Sequence, residues 1–205
     1  MANDEVTPRP APREVRIDKR QVRVLAHPLR MRLVGALRVK GPATATTLAE
    51  LLGTNTGATS YHLRQLAEVG LVVEDPDRGG GRQRWWQAAH DVTSWDPSDF
   101  DDDPDARAAI EWIQGDQVRL LVDTADHWFA NQHEWSPAWR DGFGMSDILL
   151  TIPPARLEEL KTEMWQLLER YHREATAADS ADSVDPEARP VQVFMAAYPL
   201  REGLQ

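Results

Sequence analysis

Between residues 46 and 88 the apolar positions change their period. Leu48, Leu51 and Leu52 share one helical face, and Thr47 with Glu50 has the spacing of a capping box. Gly53 ends that helix, because glycine enters the left-handed C-cap conformation without steric cost. Asn55 or Thr56 caps a second helix that runs to about Val69, before Gly70. On it Thr59, Leu63, Leu66 and Val69–Gly70 lie to one side, while Thr56, Gly57, Ser60, Tyr61 and Arg64 lie to the other. The period then drops to two. Leu71 and Val73 point inward on one predicted strand and Trp85 or Trp86 on the next, joined by the turn Asp77-Arg78-Gly79-Gly80-Gly81-Arg82, with Arg84 close behind.

The flanking patterns extend this unit. Residues 1–14 hold Pro8, Pro10 and Pro12 among few apolar positions and read as a disordered tail. A helix from about Asp18 to Ala26 follows. His27-Pro28 breaks it, since the residue before proline avoids the helical region, and Pro28 opens a helix carrying Leu29, Leu33, Ala36 and Leu37 inward. Residues 91–104 are acidic and read as a linker. Asp103-Pro104 then starts a helix of nearly thirty residues, about 40 Å long, with Ala106, Ile110, Ile113, Gln117, Leu120, Leu121, Thr124 and Trp128 in one stripe. Trp112, Ala125 and Phe129 widen its apolar face, which calls for a partner. Residues 147–152 form a predicted strand before Pro153-Pro154, and Leu157, Leu160, Met164, Leu167, Leu168 and Tyr171 mark an amphipathic helix. Val191, Val193, Met195 and Ala197 alternate as a last strand. The expected class is therefore mainly α with a small β component. Residues 15–90 form an N-terminal unit; residues 105–205 form a long helix followed by a β-α-β (α+β) arrangement. The two outer strands are expected to pair, in parallel or antiparallel sense.

Composition changes the picture at three points. No apolar run approaches the ~18 residues that span a bilayer, and the N-terminus has no apolar core of a secretory signal. Cysteine is absent, which removes disulfides and thiolate metal sites. These features imply a soluble, cytoplasmic protein. The net charge of −10 argues against nucleic acid until it is divided. Residues 13–90 hold 13 Lys/Arg against 7 Asp/Glu (net +6), and residues 91–205 hold 9 against 24 (net −15). A basic module followed by an acidic one suits DNA binding at one end.

The small, polar outer face of the second helix fits close approach to a DNA major groove. Thr56, Gly57, Ser60, Tyr61 and Arg64 are the candidates there. Arg78, Arg82 and Arg84 form a cationic hairpin suited to phosphate. Asp123, Asp126, His127, His133 and Glu134 have spacings that could hold a metal, but a solvated acidic helix face explains them better, and no metal or cofactor is expected. His27 and His62 read as packed or capping residues. Trp128, Trp135, Trp139, Phe143, Trp165 and Phe194 all lie in the acidic half and are candidates for an apolar effector pocket, weighed against simple core filling. No phosphate loop, nucleophile elbow or zinc-protease motif is present, so no enzymatic activity is expected.

Residues 24–88 resemble the winged helix-turn-helix domain of ArsR-like (arsenic-repressor-type) bacterial transcriptional regulators. The resemblance rests on Leu25-Ala26-His27-Pro28-Leu29-Arg30, Leu48-Ala49 with Leu52-Gly53, Ser60-Tyr61-His62-Leu63-Arg64-Gln65-Leu66, and Glu68-Val69-Gly70-Leu71-Val72. It covers about a third of the chain. It implies a homodimeric repressor that binds double-stranded DNA at a palindromic operator, with the helix after the wing in the dimer interface. The chain lacks the cysteine metal motif of the family's founding members. Two alternatives stand beside this expectation: a DNA-binding regulator with no small-molecule effector, and a winged domain used for protein contact.

Overall fold

A computed structural model describes residues 13–78, 83–142, 144–178 and 185–200. The chain begins with a three-residue strand, β1 (Glu14–Arg16), and a helix, α1 (Lys19–Leu25). Asp18 caps α1 by accepting from the backbone N–H groups of Arg20 and Gln21, and Gln21 returns the bond to Asp18. Pro28 opens α2 (Pro28–Lys40), and His27 Nδ1 accepts from Leu29 N at 3.1 Å. The histidine before the proline is thus a helix cap, as its position suggested.

A two-residue strand, β2 (Ala43–Thr44), leads into α3 (Ala45–Leu52). Here the expected capping box is displaced. The cap is Thr44, whose hydroxyl accepts from Thr47 N at 3.2 Å, because the helix starts two residues before the Thr47–Glu50 pattern begins. Gly53 ends α3 in the left-handed conformation, φ 64° and ψ 41°. Asn55 caps α4 (Thr56–Glu68) through a 2.8 Å bond from Ala58 N. Thr59, Leu63 and Leu66 are fully buried on its inner side.

Strands β3 (Val72–Glu74) and β4 (Trp85–Ala88) form an antiparallel hairpin, and β4 also pairs with β2, giving the order β2-β4-β3. Trp86 enters the core, but Val73 does not: it is exposed, whereas Leu71 and Val72 are buried. Leu71 lies just before the strand and fills the core from the helix turn, so the alternation begins at Val72.

The acidic stretch 91–104, expected as a linker, is packed against the N-terminus. Its strand β5 (Val92–Ser94) pairs in parallel with β1. Phe100 is buried in the same core as Ile17, Val22 and Leu33. Arg16 reaches Asp96 at 2.7 Å and Asp99 at 2.5 Å, Lys19 reaches Asp102 at 2.5 Å, and Arg23 pairs with Asp103. The carboxylates that suggested a linker are partners of basic residues in β1 and α1.

Helix α5 (Pro104–Asn131) starts as predicted, with Asp103 accepting from Ala106 N at 3.0 Å. Only its first turns are buried: Ala106, Ala109, Ile110 and Ile113 pack on α1, and Val118, Leu120, Val122 and Phe129 are exposed. A short helix α6 (Pro137–Gly142) and a long one, α7 (Pro154–Ala178), follow. The expected β-α-β arrangement needs correction. Its helix is α7, but residues 145–152 and 190–200 form no strand in the single chain, and their apolar side chains stand in solvent. Period-two alternation makes a segment fit for a ladder, yet it does not supply the neighbouring strand.

Candidate nucleic-acid interface

A groove of about 410 Å³ lies between the starts of α3 and α4 and the strand β4, lined by Thr44, Ala45, Thr46, Thr56, Ser60, Arg64, Gln83, Arg84 and Trp86. Four residues singled out from the sequence, Thr56, Ser60, Arg64 and Arg84, therefore meet in one place. The local cause is the cap pair Gly53 and Asn55. They turn the chain between α3 and α4 so that the N-terminus of α4 opens outward, with unpaired backbone N–H groups at that end. Thr59, Leu63 and Leu66 fix the helix rotation by filling the core, which leaves Thr56, Gly57, Tyr61 and Arg64 exposed. Gly57 keeps the first turn slim. A Cβ there would stand 3.3 Å from Asn55 Oδ1.

The arginines are engaged with their own chain. Arg64 Nε donates to Ser60 O at 3.1 Å, Arg84 pairs with Glu74 at 2.8 Å, and Arg78 reaches Asp75 at 3.4 Å from a short 3-10 turn, Pro76–Arg78. Arg82 lies outside the described residues. Tyr61 is 54% exposed and meets His62 edge-on at 5.2 Å. Behind the helix, the rings of His62 and His27 lie 4.4 Å apart. Burial, reinforced by Arg30, pushes the pKa of His27 down. Burial also lowers that of His62, with His27 and Arg30 adding to the effect. His62 Nδ1 and Arg30 Nε are buried without a hydrogen-bond partner among the described residues.

Four groove residues were not legible in the sequence. Thr44 caps α3, Ala45 and Thr46 sit in its first turn, and Gln83 precedes β4. Their only signal was adjacency, to the expected α3 capping box and to the arginine-rich turn.

The aromatic candidates divide. Trp128, Trp135 and Trp139 form a chain of ring contacts, at 6.0 and 5.7 Å. Trp165 on α7 and Phe194 are half-buried elsewhere, and Phe143 lies outside the described residues. No ring contact among the described residues joins Trp165 or Phe194 to the three tryptophans. A second hollow is lined by Arg16, Lys19, Arg23, Phe100 and Asp103 and also excludes these aromatics. Among the described residues no three of His, Asp and Glu converge as metal ligands, and no helix is long and apolar enough to cross a membrane.

A family model described as a helix-turn-helix domain matches residues 25–75. No curated protein matches the chain. A solved structure described as a possible transcriptional regulator for arsenical resistance is 33% identical over 51% of this chain and 95% of its own, with a TM-score of 0.30. RV1404 from Mycobacterium tuberculosis is 16% identical over 60% of this chain and 74% of its own, also at 0.30. ZitR from Lactococcus lactis, solved in complex with DNA, is 12% identical over 82% and 84%, at 0.25. At such scores superposition carries no weight. The matched domain and the one-third identity over nearly the whole length of the first relative do carry it. On that footing, the chain belongs to the ArsR-like winged helix-turn-helix transcriptional regulators.

Proposed function

We propose that the protein is a sequence-specific DNA-binding transcriptional regulator that acts as a homodimer on a palindromic operator and represses by occupying it. The observation that carries this reading is the groove that joins Thr56, Ser60 and Arg64 of α4 to Arg84 of the wing. A helix N-terminus with small polar side chains can enter a major groove, and two flanking cations can hold the phosphates beside it. Thr56, Gly57, Ser60, Tyr61 and Arg64 are assigned to the major groove, and Arg78, Arg82 and Arg84 to the backbone. A dimer would present two such helices about one turn of DNA apart.

Control of this activity has two readings. An effector bound in the C-terminal half would change the separation of the two recognition helices, provided its affinity differs between the two states. Regulation by abundance or by a partner protein is favoured by one observation: Trp165 and Phe194 make no ring contact with the three clustered tryptophans.

Fluorescence anisotropy of the full-length protein on its own upstream DNA, against a scrambled duplex and across salt concentrations, tests the proposal. Tight, sequence-dependent binding with a steep salt slope is expected. Arg64→Ala should cost about 1–3 kcal/mol at the cognate site if the guanidinium reads a base. Equal and weak binding to both duplexes, and to sequences selected from random DNA, would point instead to a winged domain used for protein contact.

A further inference from the structure

Two runs of the chain have the composition of buried strands and no strand beside them. Residues 148–152 and 190–200 contain no charged side chain. Ile148 is 81% exposed, Leu149 72%, Val191 66% and Tyr198 76%. Neither run joins a ladder with another described residue, so their backbone donors and acceptors are open to a partner strand. Helix α7, between them, carries Met164, Leu167 and Tyr171 exposed along one stripe. Its ion pairs are mostly internal, such as Lys161–Glu158 at 2.9 Å, and it approaches the winged domain where Lys161 stands 3.9 Å from Asp96. The helix thus comes near β5 while Met164, Leu167 and Tyr171 stay exposed.

Thirteen large apolar side chains between residues 145 and 200 are exposed in this way. At roughly half exposure each, they amount to on the order of 1,000 Å² per chain, against the ~800 Å² that a standard interface removes from each partner. A monomer rarely leaves so much apolar surface in water. The absence of charge in both runs fits the core of an interface, where charged residues are depleted. It also means that like-charge repulsion does not oppose self-association there, although the C-terminal half as a whole is acidic. The chain already carries the complementary pieces: two ladder-ready runs, of five and eleven residues, and one amphipathic helix. Doubling that set gives every run a neighbour under a two-fold axis.

We infer that the C-terminal half is completed by a second copy of the chain. Residues 190–199 of one protomer pair with residues 148–152 of its partner, and the resulting sheet covers the apolar stripes of the two α7 helices. This deepens the homodimer reading above and rests on it. It places the dimer contact in the C-terminal layer and makes that layer's strands a property of the assembly.

Hydrogen-exchange mass spectrometry of the full chain over a dilution series, with sedimentation velocity on the same samples, tests it. The expected result is a dimer in which both runs exchange at least tenfold more slowly than in the monomer, with protection lost on dilution in step with the dimer fraction. Val193→Asp should give a monomer with both runs unprotected and residues 25–75 as protected as in the wild type. Should that variant fail to fold, the wild-type series decides alone. Protection that persists in samples where sedimentation shows the monomer would mean pairing within one chain and would overturn the inference. A dimer in which both runs exchange freely would also overturn it, while leaving the homodimer reading intact. A monomer at every concentration would remove both.

Discussion

If Arg84 holds a phosphate as proposed, Glu74, which it meets at 2.8 Å, competes for it, and Asp75 competes likewise for Arg78. Surface pairs of this kind contribute about 0–1 kcal/mol, so the exchange is inexpensive but not free. The acidic pair Glu74-Asp75 acts as an internal competitor for the wing. Glu74→Gln should therefore tighten binding to all duplexes by a few-fold and leave sequence preference alone, measured by anisotropy at low and moderate salt. A variant that bound no better at low salt would show that Arg84 does not meet the backbone. Arg64 differs. Its Nε bond to the Ser60 carbonyl directs the guanidinium along the outer face of α4, which suits a contact with a defined base.

At the scale of elements, the turn between α3 and α4 sets the whole groove. Gly53 has φ 64°, and nothing lies within 4 Å of where its Cβ would be. A substitution there is opposed by backbone conformation alone. Gly53→Ala should lower stability by roughly 1–2 kcal/mol, and Gly53→Asn by less, because asparagine tolerates the left-handed region. Urea unfolding of the two variants checks the order, and equal losses would mean a steric cause. This part of the molecule was readable because its signals are local: Gly53, Asn55 and the Thr59–Leu63–Leu66 spacing act within two turns of helix. What could not be read depends on distant partners. The pairing of β1 with β5 joins strands of three residues each, too short to stand out in a pattern. Val92, Trp95 and Phe100 were the apolar hints that residues 91–104 belong to the core, and the carboxylates around them find their partners in Arg16, Lys19 and Arg23 far upstream. In residues 145–152 and 190–200 the alternation was legible, but the identity of a neighbouring strand is not written in it.

For the molecule as a whole, the division of charge has an internal use. Part of the basic surplus of the N-terminal module is spent on Asp96, Asp99, Asp102 and Asp103, which leaves the wing and α4 arginines facing outward. The pH dependence of stability follows from the same arrangement. The Lys19 ammonium holds the Asp102 carboxyl below its ordinary value of 3.8, and the Ala106 N–H, then Arg23, do so for Asp103. Burial holds His27 and His62 below 6.5. All four groups have depressed values in the fold, so each stabilises fully above its unfolded pKa and loses that contribution as pH falls. Thermal melts should show a plateau above pH 7, a first decline below pH 6.5 from the histidines, and a second below about pH 4 from the carboxylates. Replacing both histidines, His27→Asn with His62→Gln, should shrink the upper decline and leave the lower one in place, the remainder coming from His90, which burial also holds below 6.5. A wild-type curve flat down to pH 4.5 would rule out the histidine contribution.

The parallel pairing of β1 with β5 has a consequence for how the protein is made. Glu14 pairs with Val92, and Ile17 and Val22 share a core with Ile110 and Ile113. The segment 14–25 leaves the ribosome before the rest of this core and is therefore among the last to find its neighbours. At about 5–20 residues per second, α1 waits several seconds with its apolar side exposed before the start of α5 emerges. The helices from α2 to α4 can assemble in that interval, since their contacts are close in sequence. Strand β1 then joins last and closes the module, so a nascent chain with residues up to about 90 clear of the ribosome should hold α4 already formed and β1 still unattached.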